Sequence, residues 1–170
     1  MIAMEILDVY DINGEKLSRT LPRGTMPGEN EFFLVVHTCV INPRGEMLLQ
    51  QRQITKDRYP GCWDVSAGGF ASSGEDSITA ALRELQEELG VECDKSALRF
   101  VVREPFKFIF DDFYICLADI PLESLTLQKE EVMGAKWADE QEVMRLLAAG
   151  ELVDYDAQLL EKVFRAADEH

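Results

Sequence analysis

Between Asp76 and Leu89 the apolar residues recur at helical spacing, with Ile78, Ala81, Leu82, Leu85 and Leu89 on one stripe. A segment of that period is an amphipathic helix, and it needs an apolar surface to lie on. Ser73 precedes it, Glu75 and Asp76 suit its positive N-terminal end, and Gly90 is a natural C-terminal stop. The same segment carries a second pattern. Glu84, Glu87 and Glu88 stand at i, i+3 and i+4, so their carboxylates project together, away from the leucine stripe. Three such carboxylates repel one another unless they are solvated or neutralised. In isolation the pattern is ordinarily a solvated face. The alternative is a magnesium or manganese site, because hard divalent cations prefer oxygen ligands.

Upstream of this helix the reading is mainly β. Met4 to Tyr10 reads as a strand, Asn13-Gly14 as a tight hairpin turn and Lys16 to Thr20 as the return, followed by the Pro- and Gly-rich loop LPRGTMPGEN. Phe32 to Ile41 reads as a buried strand, NPRG as a turn and Met47 to Arg52 as its partner. Trp63 to Ala67 is a further short strand, with a glycine-containing loop running on through Gly74. Beyond the helix, Leu98 to Glu104, Phe108 to Ala118 and Val132 to Trp137 are strands, and Asp139 to Ala148 and Asp156 to Ala167 are helices. This order predicts an α+β fold, a mixed β-sheet sandwiched between helices. Residues 1–30 are expected to form an N-terminal hairpin extension and residues 31–170 the main domain. A lone hairpin has too little surface to be stable, so it should pack on the main domain or on a second copy; homodimers are the commonest oligomers, so a homodimer is the expectation.

The charge narrows the function classes. With 17 Lys and Arg against 32 Asp and Glu the chain carries −15, a field that disfavours nucleic-acid polymers. It leaves room for a small phosphorylated substrate, whose phosphates can be held by cations that the carboxylates hold in turn. The longest apolar stretch, Phe32 to Ile41, is interrupted by His37 and is too short to span a membrane. MIAMEILDVY has no basic segment ahead of an apolar one, so the expectation is a cytoplasmic protein. Cys39, Cys62, Cys93 and Cys116 form no CxxC pair and read as reduced thiols.

The surroundings of the acidic cluster are what single it out. From Gly69 the chain reads GFASSGEDSITAALRELQEELGV. Gly69, Glu75, Arg83, Glu84, Leu85, Glu87, Glu88, Gly90 and Val91 fit the pattern G-x5-E-x7-R-E-U-x-E-E-x-G-U, with U apolar, at every fixed position. At average residue usage a chance match from one start point is on the order of one in a billion. The segment resembles the Nudix box, and the resemblance implies a mixed-sheet sandwich that uses water to cleave a diphosphate linked to another moiety. Carried over by motif position, Glu84, Glu87 and Glu88 are the expected metal ligands, and Gly69 stands where the family often supplies a backbone carbonyl. Glu75 and Arg83 are expected structural members. Arg83 and Glu87 are four residues apart, so the guanidinium can orient the carboxylates. Bound metals screen phosphate charge and lower the pKa of a coordinated water, and a further carboxylate can take the remaining proton. Glu131, ahead of the Val132 strand, is the candidate for that role, since related enzymes often place an acid in this loop; a plain surface acid is the alternative.

A second resemblance concerns MLLQQRQITKDRYPGCWDVSAGGF, which is similar to the front end of the isopentenyl-diphosphate-isomerase branch of the same family. It marks Arg52, Lys56 and Arg58 as candidate contacts to substrate phosphates, the alternative being solvated loop charges. True isomerases carry a cysteine and then a metal-binding histidine shortly after that tryptophan. Here Gly68 and Phe70 occupy those places, Cys62 lies before Trp63, and His37 is displaced from the expected strand histidine. His37 is expected as a hydrogen-bonded residue in or near the core. Trp63, Phe106, Phe108 and Phe110 are expected either to stack on a base, to line a prenyl pocket or simply to fill the core. Together these features predict metal-dependent hydrolysis of a diphosphate linkage in a small nucleoside-, sugar- or prenyl-type substrate. A non-catalytic nucleotide-sensing module and an isomerase are the alternatives.

Overall fold

The computed structural model describes residues 3–169. Strands β1 (Ile6–Tyr10) and β2 (Lys16–Pro22) form a separate antiparallel hairpin, joined to the main sheet by a Tyr10–Phe32 bridge. The seven-stranded mixed sheet comprises β3 (Phe33–Ile41), β4 (Met47–Arg52), β5 (Trp63–Asp64), β6 (Ala67–Phe70), β7 (Leu98–Phe106), β8 (Ile109–Leu117) and β9 (Val132–Ala138). Its helices are α1 (Ser77–Leu89), α2 (Glu140–Ala148) and α3 (Ala157–Asp168). Among the described residues no helix is long and apolar enough to cross a membrane.

β3 runs parallel to β8 over its whole length and pairs with β4 only at Ile41–Met47. Past that point the two strands of the hairpin part. β3 takes β6 as its other neighbour, while β4 pairs with β5 and β9. The expected single strand from Trp63 to Ala67 is therefore two strands with different partners: Trp63 and Asp64 face β4, and Ala67 to Phe70 face β3. One apolar run cannot reveal that its halves serve strands that have diverged.

Period two sorts the side chains of β3 and β8 between two cores. Leu34, Val36 and Val40, with Phe110, Tyr114 and Cys116, meet Ala80, Ala81, Leu85 and Leu89 of α1. Cys39 and Ile41, with Phe113 and Ile115, meet α2 and α3 through Val143, Leu146, Leu160, Val163 and Phe164. Cover on both faces explains why β3 reads as a continuous apolar run. Leu7 and Val9 of the hairpin bury against Phe33 in a third cluster, so the hairpin's apolar face is satisfied within the chain. All four cysteines are free thiols; Cys39 and Cys116 are buried, and burial pushes the Cys116 thiol up to about 12.

Candidate active site

Helix α1 is fixed at both ends. Its N-cap is Asp76, three residues later than Ser73, and the Asp76 side chain accepts from the Thr79 amide at 2.9 Å. Ser77 donates to the buried Asp112 and accepts from the Tyr114 hydroxyl at 2.8 Å, pinning the first turn to β8. At the other end Gly90 is left-handed, with φ +70°, and its amide bonds Gln86 O. A helix so anchored presents Glu84, Glu87 and Glu88 in a fixed place.

Each carboxylate has a different environment. Glu88 is only 6% exposed; Oε1 accepts from the Gly68 amide at 2.7 Å and Oε2 from Gln50 Nε2 at 3.3 Å. Burial, followed by the charge of Glu84, pushes its carboxyl up to about 8. Glu84 lies against β6: a Cβ on Gly69 would stand 2.5 Å from Glu84 Oε1, so glycine is what leaves room for this carboxylate beside the strand. Burial pushes Glu84 up to about 7 against the pull of Arg83, with Glu87 and Glu5 adding repulsion. Glu87 is the most exposed of the three. Two half-buried to buried carboxylates at raised pKa thus lie beside a strand that comes within contact distance, and a hard divalent cation would be the partner to relieve their repulsion.

Arg83 organises this face. Its Nε and Nη2 grip Glu75 at 2.7 and 2.9 Å, Nη1 donates to Glu84 at 2.8 Å and Glu87 at 3.1 Å, and Nη2 also reaches Phe70 O at 3.1 Å. Glu75 in turn accepts from the Ser72 amide at 2.7 Å. Because Arg83 stands between Glu84 and Glu87, no three of the candidate ligand side chains among the described residues close around a common point.

One cleft of about 1210 Å³ brings together every residue that the sequence singled out for the site: Gly69, Arg83 and the three glutamates on one wall, Arg52, Lys56, Arg58 and Glu131 on another. Two of the candidates are bound to each other, since Lys56 forms an ion pair with Glu131. Arg52 holds the loop it precedes, through Nε to Arg58 O at 3.1 Å, and pairs with Asp64 at 3.3 Å. Of the four aromatics, Phe106 lines the cleft and is 52% exposed. Phe110 stacks on Phe32 and Phe108 packs in the hairpin cluster, while Trp63 lies under Lys136 at 4.4 Å.

Several groups on or beside the cleft are absent from the sequence reading, Asp64 and Asp111 among them. The hairpin sends in Glu5 and Arg23; Arg23 lies 4.8 Å over the Phe70 ring, and Glu5 accepts from Ser72 Oγ at 2.9 Å. Asp8 clasps the same loop through Ser73 Oγ and the Gly74 amide at 3.0 and 2.9 Å. Another is Tyr155, between α2 and α3, whose hydroxyl donates to Asp64. Contacts this far apart along the chain leave no local periodicity to find.

A mixed sheet between helices, with an arginine-braced acidic helix laid against a glycine strand, is the arrangement that the sequence reading expected of a hydrolase of phosphorus-containing anhydrides. A model of the NUDIX domain matches residues 31–162, and the chain belongs to the Nudix family. It is 41% identical over 152 residues to an uncharacterized Nudix hydrolase of Listeria monocytogenes, covering 89% of this chain and 90% of that one. The crystal structure of the Deinococcus radiodurans protein DR0079 superposes with a TM-score of 0.77 at 26% identity, covering 93% of this chain and 98% of that one. An isopentenyl-diphosphate Δ-isomerase of Escherichia coli is a more distant relative, 26% identical over 136 residues, covering 74% of this chain and 75% of that one. That likeness agrees with the isomerase-like front end.

Proposed function

We propose that this protein hydrolyses a diphosphate linkage in a small nucleoside-, sugar- or prenyl-type substrate and depends on magnesium or manganese to do so. The observation that carries the reading is the convergence, on one cleft, of the acidic face of α1 with the basic segment that contains Arg52, Lys56 and Arg58. Glu84, Glu87, Glu88 and the Gly69 carbonyl would hold the metal, which supplies charge neutralisation at the phosphates and a more acidic water. Arg83 fixes the carboxylates against their mutual repulsion. Lys56 and Arg58 orient the diphosphate, and a phosphate that takes Lys56 releases Glu131 to accept the proton from the attacking water. We place the catalytic unit at residues 31–170, with residues 1–30 as its extension, and the protein in the cytoplasm.

Gly68 argues against the isomerase alternative. A Cβ at this position would meet Val36 O at 2.8 Å and His37 Nδ1 at 3.0 Å, so a cysteine fits here only if β3 moves. Phe70 is packed edge-on against Phe33 and can neither ligate a metal nor carry a proton. The test is turnover of a panel of nucleoside diphosphates, nucleoside diphosphate sugars and prenyl diphosphates with both products identified by mass. Hydrolysis that stops on exhaustive chelation is expected. Full turnover without metal, or rearrangement of isopentenyl diphosphate without phosphate release, overturns the proposal.

A further inference from the structure

Val35, His37, Cys39 and Ile41 alternate along one face of β3, beside Ile109, Asp111, Phe113 and Ile115 on β8. Where α2 and α3 cover this face it is apolar: Cys39, Ile41, Phe113 and Ile115 are all at most 2% exposed. Where it emerges into the cleft it turns polar at two positions. His37 stacks on Phe113 at 4.5 Å, and its Nε2 lies 2.7 Å from Asp111 Oδ1. Both side chains are largely enclosed, at 14% and 18% exposure, and both line the cleft next to Gly68, whose amide holds Glu88. Tyr155 crosses the His37 ring edge-on at 5.6 Å and carries its hydroxyl to Asp64, which also pairs with Arg52. Every element of this wall is held by another, so the pair is preorganised.

Enclosing a carboxylate and an imidazole in an otherwise apolar face is unfavourable unless their hydrogen bonds are filled. His37 fills one oxygen of Asp111. Among the described residues the other, Oδ2, has no protein partner, and it opens to solvent in the cleft, since no buried side-chain oxygen lacks a partner. We infer that His37 and Asp111 form a specificity-determining pair, which binds the part of the substrate beyond the diphosphate through its hydroxyl or amino donors and rejects a prenyl chain. The inference rests on the diphosphate-hydrolase reading of the cleft. A prenyl group laid on this wall would strip water from Asp111 and return no donor, whereas a sugar hydroxyl or a ring amine restores the lost bond. The geometry supplies the reason for asymmetry: a site built to accept a hydrogen bond discriminates far more strongly against a partner that lacks the donor than an apolar pocket discriminates against an added hydroxyl.

The experiment compares the full chain with Asp111→Asn and His37→Phe. The first keeps shape and removes the charged acceptor, and the second keeps the stack on Phe113 but not the bond to Asp111. In the same panel, the best substrate of the parent protein is expected to carry hydroxyl or amino donors. Toward it, Asp111→Asn should raise KM by about 10-fold, the loss of one hydrogen bond to a charged group, and His37→Phe should raise it by a smaller factor, since it keeps the acceptor but frees it to turn. Inhibition by inorganic pyrophosphate, which reports only the diphosphate grip and an intact fold, should stay within about 2-fold on that scale. A prenyl diphosphate as the best substrate overturns the inference. So does an Asp111→Asn protein with parental KM, or one in which KM and pyrophosphate inhibition change together. If no diphosphate in the panel is cleaved, the hydrolase reading itself fails and this inference falls with it.

Discussion

Replacing Glu88 by Gln should stabilise the metal-free protein at alkaline pH while removing its activity. Burial and the Glu84 charge push the native Glu88 carboxyl up to about 8, whereas an unfolded chain holds a glutamate near ~4.3. Between those values the native state keeps a proton that the unfolded state has lost. The unfolded state therefore binds fewer protons, and stability is full below the unfolded value and lost as pH rises through the native one. At ~1.36 kcal/mol per unit, and with Glu84 sharing the repulsion, the loss assignable to Glu88 from pH 5 to pH 8 is about 3 kcal/mol. Glutamine escapes it, but offers one oxygen to the two donors, the Gly68 amide and Gln50 Nε2, that Glu88 satisfies with two. That costs about 1 kcal/mol at every pH. The melting temperature of Glu88→Gln minus that of the parent should start slightly negative at pH 5 and climb by roughly 6–12 °C toward pH 8, at the usual 2–4 °C per kcal/mol for a chain of this size. Thermal melts in chelator across this range measure it, and the subtraction removes the general repulsion of a chain at −15. Magnesium should raise the parent more at pH 8 than at pH 5, because it binds the ionised ligands, and should do little for the variant. A difference between variant and parent that stays constant over the range refutes the argument.

Further outcomes follow from the same geometry. Glu87→Gln should lower kcat by at least about 10²-fold with an unchanged circular-dichroism spectrum, because it removes ligand charge from the most exposed of the three acids; near-normal turnover would mean a merely solvated face. Leu85→Ala should cost about 2–5 kcal/mol in denaturant titration, since Leu85 is fully buried in the core under α1. The hairpin packs on its own chain and so does not itself require a partner; a homodimer is expected only because such dimers are the commonest assemblies, and a monomeric mass across micromolar concentrations rejects it.

Much of the site was legible in one stretch of sequence because its parts are local. Helical spacing alone puts Glu84, Glu87 and Glu88 on one face, places Arg83 within reach of Glu87, and sends Leu85 and Leu89 the other way. The strands were legible for the same reason, down to a residue or two at most ends. Trp63 to Ala67 was the exception, because two diverging strands divide that stretch between them and pairing is a property of partners, not of the stretch itself.

What only the tertiary structure decided is how the pieces meet. Why position 69 is glycine depends on Glu84 lying where a Cβ would be. The raised carboxyls of Glu84 and Glu88 depend on burial beneath β6, which no charge count contains. His37 reads in sequence as one polar residue in an apolar strand. It becomes part of a cleft wall only because a parallel β8 brings Asp111 beside it and the chain returns more than a hundred residues later with Tyr155. Period and motif are carried by neighbours in the chain, so sequence reports them; burial, pairing and the sharing of one proton or one hydrogen bond between distant residues exist only once the chain has closed on itself.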